Sequence, residues 1–170
     1  MHPRVMRLRV SPCTSLADVA AIEASVPTGA SAFHRARFER QDGSEYLLAW
    51  ADEVAVGHVL VTPESKYDEV RTALGRFPEA NGLGVAEAYQ RRGVARALMA
   101  AAADAAGRMG AVRLGLAVEP GNEAAGRLYE SLGFDRHRLE VVDIWHWIDD
   151  DGVQHEQGDR CTYWTRAVGR

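Results

Sequence analysis

Cysteine is almost missing from this chain. Cys13 and Cys161 stand alone, with no Cys-x-x-Cys pair and no metal-type spacing. They leave no metal site and no nucleophile signature, and they fit a reduced, cytoplasmic setting. Lysine is scarcer still, since Lys66 is the single lysine among 20 basic residues. The net charge is −4 and the pI about 5.9, a balance that argues against bulk nucleic-acid binding. Any anion site must therefore be local. No apolar run approaches the ~18 residues that a membrane span needs, and Met1-His-Pro-Arg-Val-Met-Arg-Leu8 has no apolar core for a signal peptide. Two phosphate loops fail as well. Gly-x-x-x-x-Gly-Lys-Ser/Thr is absent, and Gly82-Leu-Gly84-Val-Ala-Glu87 has a glutamate where a dinucleotide fingerprint needs its third glycine. That carboxylate would repel a pyrophosphate.

What is present is globular composition: 170 residues, 46% hydrophobic and 26% charged, enough for one domain with a real core. With no internal repeat and no linker, residues 1–170 read as a single domain. Residues 5–10 suit a first strand. Ser15 suits an N-cap for a helix that Pro27 ends, and residues 31–41 suit a second helix broken by Asp42-Gly43. Residues 46–50 and 54–61 form a hairpin around Asp52-Glu53. Within the polar connection 63–78, residues 67–74 suit a short helix. A small-residue strand, 80–86, leads into a helix from Arg92 on which Val94, Ala97, Leu98, Ala101 and Ala105 recur, with Gly107 or Gly110 as its stop. Residues 112–118 suit a strand and 122–132 a helix with Ala125, Leu128, Tyr129 and Leu132 on one face. Gly133 is then its left-handed cap and Phe134 folds back. Residues 139–148 and 161–167 pair as a last hairpin. The pattern predicts a mixed α/β (α+β) sheet.

One stretch concentrates charge: Tyr89-Gln-Arg-Arg-Gly-Val-Ala-Arg-Ala-Leu98. It lies between a strand and a helix. A helix start carries unpaired N–H groups and partial positive charge, and a phosphate can use both. Gly93 lets the backbone approach closely, Ala95 and Ala97 keep the turn slim, and Arg91, Arg92 and Arg96 add full charges.

Gln90-Arg-Arg-Gly93-Val-Ala95 resembles the pyrophosphate loop of GNAT-type N-acyltransferases, written Gln/Arg-x-x-Gly-x-Gly/Ala. Roughly 27 residues on, "EPGNEAAGRLYESLGF" is similar to the Asn-x-x-Ala-x-x-Leu-Tyr-x-x-x-Gly-Phe segment of the same family. The two motifs stand in the family's order, and the resemblance is specific from Glu79 to Phe134. It implies the GNAT fold: a mixed, mostly antiparallel sheet of six to seven strands, splayed central parallel strands and about four helices. Acetyl-CoA would enter a V-shaped opening between strands 80–86 and 112–118. By resemblance, the backbone at Leu83, Gly84 and Val85 pairs with the pantetheine arm. The amides of Arg91, Arg92, Gly93, Val94, Ala95 and Arg96 hold the pyrophosphate, and Asn122 touches the cosubstrate. Tyr129 stands near the thioester sulfur, where it can protonate the leaving thiolate. No metal is implied. The partners implied are an amine acceptor and, through an exposed final strand, a second copy of the chain; no nucleic acid and no membrane are expected.

The reaction implied is acyl transfer to a primary amine of a small molecule or a protein N-terminus by direct attack. A lysine-like amine costs roughly 4–5 kcal/mol to deprotonate near pH 7, so a base helps. Glu79 is the candidate, because some family members carry a glutamate base at about this spacing before the loop. In period-two phase it shares a face with Asn81, Leu83 and Val85. Other members place a catalytic glutamate about five residues before the asparagine, where this chain has Ala117. That departure motivates the alternative of a non-catalytic acyl-CoA-binding sensor; a different acyl or aminoacyl donor is the further one. Plainer roles stand beside each assignment. The arginines suit a solvated helix start, Tyr129 a core tyrosine, Glu79 a loop carboxylate and Asn122 an N-cap. His58, mid-strand, suits a packed or edge histidine more than a base. His34, Trp145, His146 and Trp147 are candidates for an acceptor pocket, with core packing or hairpin stabilisation as the simpler role of the tryptophans. Asp149 to Asp151 suits a solvated turn.

Overall fold

Ser15 caps the first helix as its chemistry suggests: its hydroxyl accepts the Asp18 N–H at 3.1 Å, and α1 runs Leu16–Ser25. The computed structural model describes residues 4–29 and 32–169. The second helix, α2, is Phe33–Phe38, shorter than expected; the expected start at Ser31 lies outside the described residues. The first strand, β1, is Leu8–Pro12, shifted along the chain from 5–10 because its partner is set by register with Ala51 to Leu47 of β2. β2 (Glu45–Ala51) and β3 (Val54–Thr62) make the hairpin, with Asp52 in the left-handed region at its turn. The short α3 is Asp68–Ala73. β4 (Glu79–Val85), a single 3-10 turn (Glu87–Tyr89) and α4 (Val94–Arg108) follow, then β5 (Arg113–Val118) and α5 (Glu123–Ser131). Gly133 adopts φ +85°, and the Phe134 N–H returns to the Tyr129 carbonyl at 3.0 Å.

The last hairpin is much longer than its apolar pattern suggests: β6 spans Asp135–Ile148 and β7 Gln154–Ala167. Polar residues on both faces hid the extension, which is held by backbone pairing from Glu140↔Thr162 out to Ile148↔Gln154. The sheet has seven strands in the order β1-β2-β3-β4-β5-β7-β6. β7 pairs with β5 and so lies inside the sheet; the edge at that end is β6, not the final strand, and β1 is the edge at the other. Every neighbouring pair is antiparallel except β4 and β5.

Two layers cover the sheet. One face packs against α4 and α5 through Val56, Val59, Leu98, Leu114, Leu116 and Phe134, among others. The opposite face packs against α1 and α2 through Ile22, Leu48, Trp50 and Leu60, and against α3 through Val70, Phe77 and Tyr163.

β4 changes face partway along. Leu60 pairs with Asn81 and His58 with Gly84, so Gly82 and Leu83 both stand opposite Val59. Gly82 takes φ +61°, as a bulge residue without a Cβ can. Ala80, Leu83 and Val85 consequently all pack toward α4, whereas Gly82 and Gly84 turn toward Arg37 and His58 on the other face. Glu79 belongs to that other face, with Tyr163. It therefore does not share a face with Leu83 and Val85, because one extra residue reverses the alternation.

Candidate active site

β4 and β5 run parallel, and their ladder holds at Glu79↔Gly115, where the Gly115 N–H also reaches the Pro78 carbonyl at 2.9 Å. No further pair follows, so the strands diverge toward their C-terminal ends. A cavity of about 240 Å³ fills the gap. Gly82 and Leu83 line it from β4, Leu116 and Val118 from β5, and Asn122 and Tyr129 from the segment that follows. Leu83 and Ala125 also line a second cavity of about 480 Å³, walled by Val85, Gln90, Arg91, Gly93, Ala95 and Arg96. The two form one cleft along the α4 side of β4.

The outer end is built to take an anion. Gly93, at φ +83°, is the N-cap of α4, and no side chain caps that helix. The Ala97 N–H is the one that reaches back to the Gly93 carbonyl, at 3.0 Å, which leaves the amides of Val94, Ala95 and Arg96 without helical acceptors. Arg91 is also left-handed, at φ +60°. Left-handed residues in such a turn aim successive N–H groups into one concavity. The Gln90 side-chain amide donates to the Val85 carbonyl at 3.3 Å and ties this loop to the strand. Arg96 donates to the Ser131 hydroxyl at 3.0 Å. The expected loop residues Arg91, Gly93, Val94, Ala95 and Arg96, with Leu83 and Val85, thus come together on one wall. Arg92 and Gly84 do not: Arg92 lies over the Tyr89 ring at 5.7 Å, and Gly84 faces His58.

At the inner end, Tyr129 is 9% exposed and edge-on to Phe134, at 5.7 Å between centroids. Burial pushes its phenol up to about 12, so it keeps its proton at neutral pH. Asn122 caps α5, its Oδ1 accepting the Ala125 N–H at 3.2 Å, while it also lines the cavity. Glu79 is no loop carboxylate. It is fully buried, its Oε2 accepting a hydrogen bond from the Tyr163 hydroxyl (2.8 Å) and its Oε1 one from the Lys66 N–H (3.3 Å). Burial holds its carboxyl above the ordinary range, against the opposing hydrogen bonds of Ser65 and Tyr163. It sits at the apex where β4 and β5 part but lines neither cavity. Glu119, just past β5, is exposed and does line the cavity that Tyr129 lines. It stands two positions past Ala117, the position to which the family pattern points.

The other candidates separate. His34 is buried and bonded to the Tyr46 hydroxyl (2.6 Å) and the Val26 carbonyl (2.7 Å), a core role. His58 is packed too, and burial pushes its imidazole down to about 3. Trp145 donates to Asp159 at 2.7 Å, Trp147 stacks on His155 at 4.3 Å and His146 pairs with Glu156, all on the outer hairpin. They stabilise that hairpin and line no part of the cleft.

The sequence profile of the acetyltransferase (GNAT) family matches residues 13–134. The chain belongs to that family. It is an acetyltransferase with the GNAT fold, and the family uses acetyl-CoA. Solved structures agree on the fold. The ribosomal-protein-S18-alanine N-acetyltransferase of Escherichia coli matches at 19% identity and a TM-score of 0.65, covering 96% of each chain. The protein yncA of Salmonella typhimurium, which holds acetyl-CoA as its cofactor, matches at 22% and 0.63, over 96% of this chain and 95% of that one. The ribosomal-protein-alanine N-acetyltransferase of Brucella melitensis matches at 18% and 0.65, over 94% and 99%. No curated protein sequence matches the chain. Among the described residues no helix is long and apolar enough to cross a membrane, and no cluster of three metal-ligating side chains occurs.

Proposed function

We propose that this GNAT acetyltransferase moves an acetyl group from acetyl-CoA to a primary amine, of a small molecule or a protein N-terminus, by direct attack within a ternary complex. The observation that carries this reading is the continuous cleft, with an uncapped helix start at one end and a buried, protonated tyrosine at the other. Acetyl-CoA supplies an activated thioester. The amides of Val94, Ala95 and Arg96, with Arg91 and Arg96, bind its pyrophosphate. Leu83 and Val85 orient the pantetheine arm along β4, and Asn122 borders the thioester end. Tyr129 donates its proton to the departing sulfur.

Glu79 is the base in this reading. Its raised affinity for a proton and its place at the apex of the strands support the role, with Tyr163 as the group that would pass the proton inward. Glu119 is the rival base, favoured by sharing a cavity with Tyr129. Calorimetric titration with acetyl-CoA, with dephosphorylated pantetheine and with a Gly93→Glu variant tests the cradle. Micromolar binding that requires the pyrophosphate and vanishes in the variant is expected; no binding to the wild-type protein would sink the reading. Tyr129→Phe should then lower kcat by about a hundredfold or more, far beyond any change in acetyl-CoA affinity. Between Glu79→Gln and Glu119→Gln, the variant that removes the ascending limb of the pH–rate profile identifies the base.

A further inference from the structure

Arg37 spends its charge on almost nothing. Most arginines with a close carboxylate here sit on the outer surface, as Arg35 with Glu39, Arg40 with Asp42, and Arg108 with Glu45. Arg37 is half-buried, and among the described residues no carboxylate pairs with it. One long hydrogen bond, Nη1 to the Asn81 carbonyl at 3.4 Å, is its polar contact. Its guanidinium lies 4.2 Å over the Phe33 ring, one helical turn back on α2. Burial lowers its pKa, the mark of a cation taken out of water without a counterion. A guanidinium fork has five donors, so most remain unspent.

Its position matters as much as its state. Arg37 lies against the bulge at Gly82: a Cβ on that glycine would come within 2.6 Å of Nη2. Gly82 also lines the cavity that holds Tyr129. The fork therefore lies behind Gly82, on the α2 side of that cavity wall and across the sheet from the α4 loop assigned to the pyrophosphate. Among the described residues, the groups around it supply no negative charge. Tyr46 is a buried phenol that burial keeps protonated, Arg40 is a second cation, and His58 is a buried neutral imidazole with an unpartnered Nδ1.

We propose that Arg37 binds the carboxylate of the acceptor, so that the substrate is a small amino acid whose amine lies one or two carbons from that carboxylate. The assignment rests on the transferase reading and gives it a substrate class. A planar fork matches a carboxylate through two parallel hydrogen bonds, which a lysine or a backbone amide does not. Held there, the carboxylate brings a nearby amine to the mouth of the cleft and supplies the counterion that the fold withholds. A polyamine, with no carboxylate, would leave the arginine desolvated and unpaired.

The test compares L-amino acids and β-alanine with their carboxamides, and with carboxylate-free amines, under saturating acetyl-CoA. Thiol release is followed, the products are confirmed by mass, and rates are corrected to free-amine concentration. For at least one amino acid, kcat/KM should exceed that of its carboxamide by about tenfold or more, mainly through KM. Arg37→Gln should bring that ratio to within about twofold of unity, and Arg37→Lys should restore part of it. Melting curves report whether each variant folds, and the wild-type ratio stands as a test even if one does not. Equal use of acid and amide, acetylation of carboxylate-free amines alone, no acetylation of any amino acid, or a ratio that survives Arg37→Gln in a folded variant each overturns the assignment. Acetyl-CoA binding measured beside these assays separates the outcomes: binding retained leaves the transferase reading standing, and binding absent overturns both.

Discussion

Glu79 carries the sharpest conflict at the scale of single residues. A carboxylate with no exposure stabilises the fold only while its hydrogen bonds offset its lost hydration. Burial is the larger effect here, and the carboxyl holds its proton above the ordinary range. A raised folded-state pKa means that the unfolded chain releases this proton first. Stability is then fully present below the ordinary carboxylate range and is lost as pH climbs through the folded value. Replacing Glu79 with Gln removes that loss. The variant should gain stability relative to wild type between pH 4 and pH 8, read as urea-unfolding midpoints at both values. A difference that does not change with pH would mean that Glu79 ionises in the fold as it does in water. Tyr163 hydrogen-bonds this carboxyl, and it was invisible as a partner in the sequence because 84 positions separate the two.

At the scale of elements, the loop before α4 is the part whose conformation is strained toward a use. Arg91 and Gly93 both have positive φ, and around Gly93 nothing would touch an added Cβ. Gly93→Ala therefore isolates the backbone cost. It should lower stability by about 1 kcal/mol, seen as a shifted denaturation midpoint with an unchanged slope. Arg91→Gly should do the reverse by a similar amount. A neutral Gly93→Ala would show that the loop relaxes out of its left-handed geometry. β4 is the second such element. Its bulge at Gly82 separates the residues on the α4 face of the strand from those on the α2 face, and it makes room for Arg37. The Phe33–Arg37 spacing was readable as a helical i,i+4 pair. Their meeting with Gly82 was not.

Across the whole molecule, stability is concentrated away from the outer hairpin. Val142, Ile144, Trp145, Trp147 and Ile148 are substantially exposed, and beyond Asp143, which meets Lys66 and Tyr67, the hairpin contributes no residue to the α3-side core. Deleting residues 145–157 and closing Ile144 to Gly158 with an Asn-Gly turn should cost only a few degrees in Tm and leave acetyl-CoA affinity unchanged. The inner half of β7 is different: Tyr163 is fully buried and pairs against Ala117 of β5. A large loss of stability on shortening would show that the outer hairpin supports the core after all.

The family, the mixed sheet and the glycine turn before α4 were legible in the sequence because each rests on short-range chemistry, and the parallel pair followed from the family resemblance. A helix start, a glycine turn, an asparagine cap and an apolar face at 3.6-residue spacing lie within a few residues of one another. Those patterns also place Tyr129 on a helix face that both packs and borders the cleft. Tertiary structure alone decided the rest. Register between distant strands set the bulge that put Glu79 and Leu83 on opposite faces, inserted β7 beside β5 and left β6 at the edge. It also carried an arginine on α2 to a glycine more than forty residues further along. Register answers to the summed packing of a whole sheet, in which one inserted residue turns every later side chain to the other face.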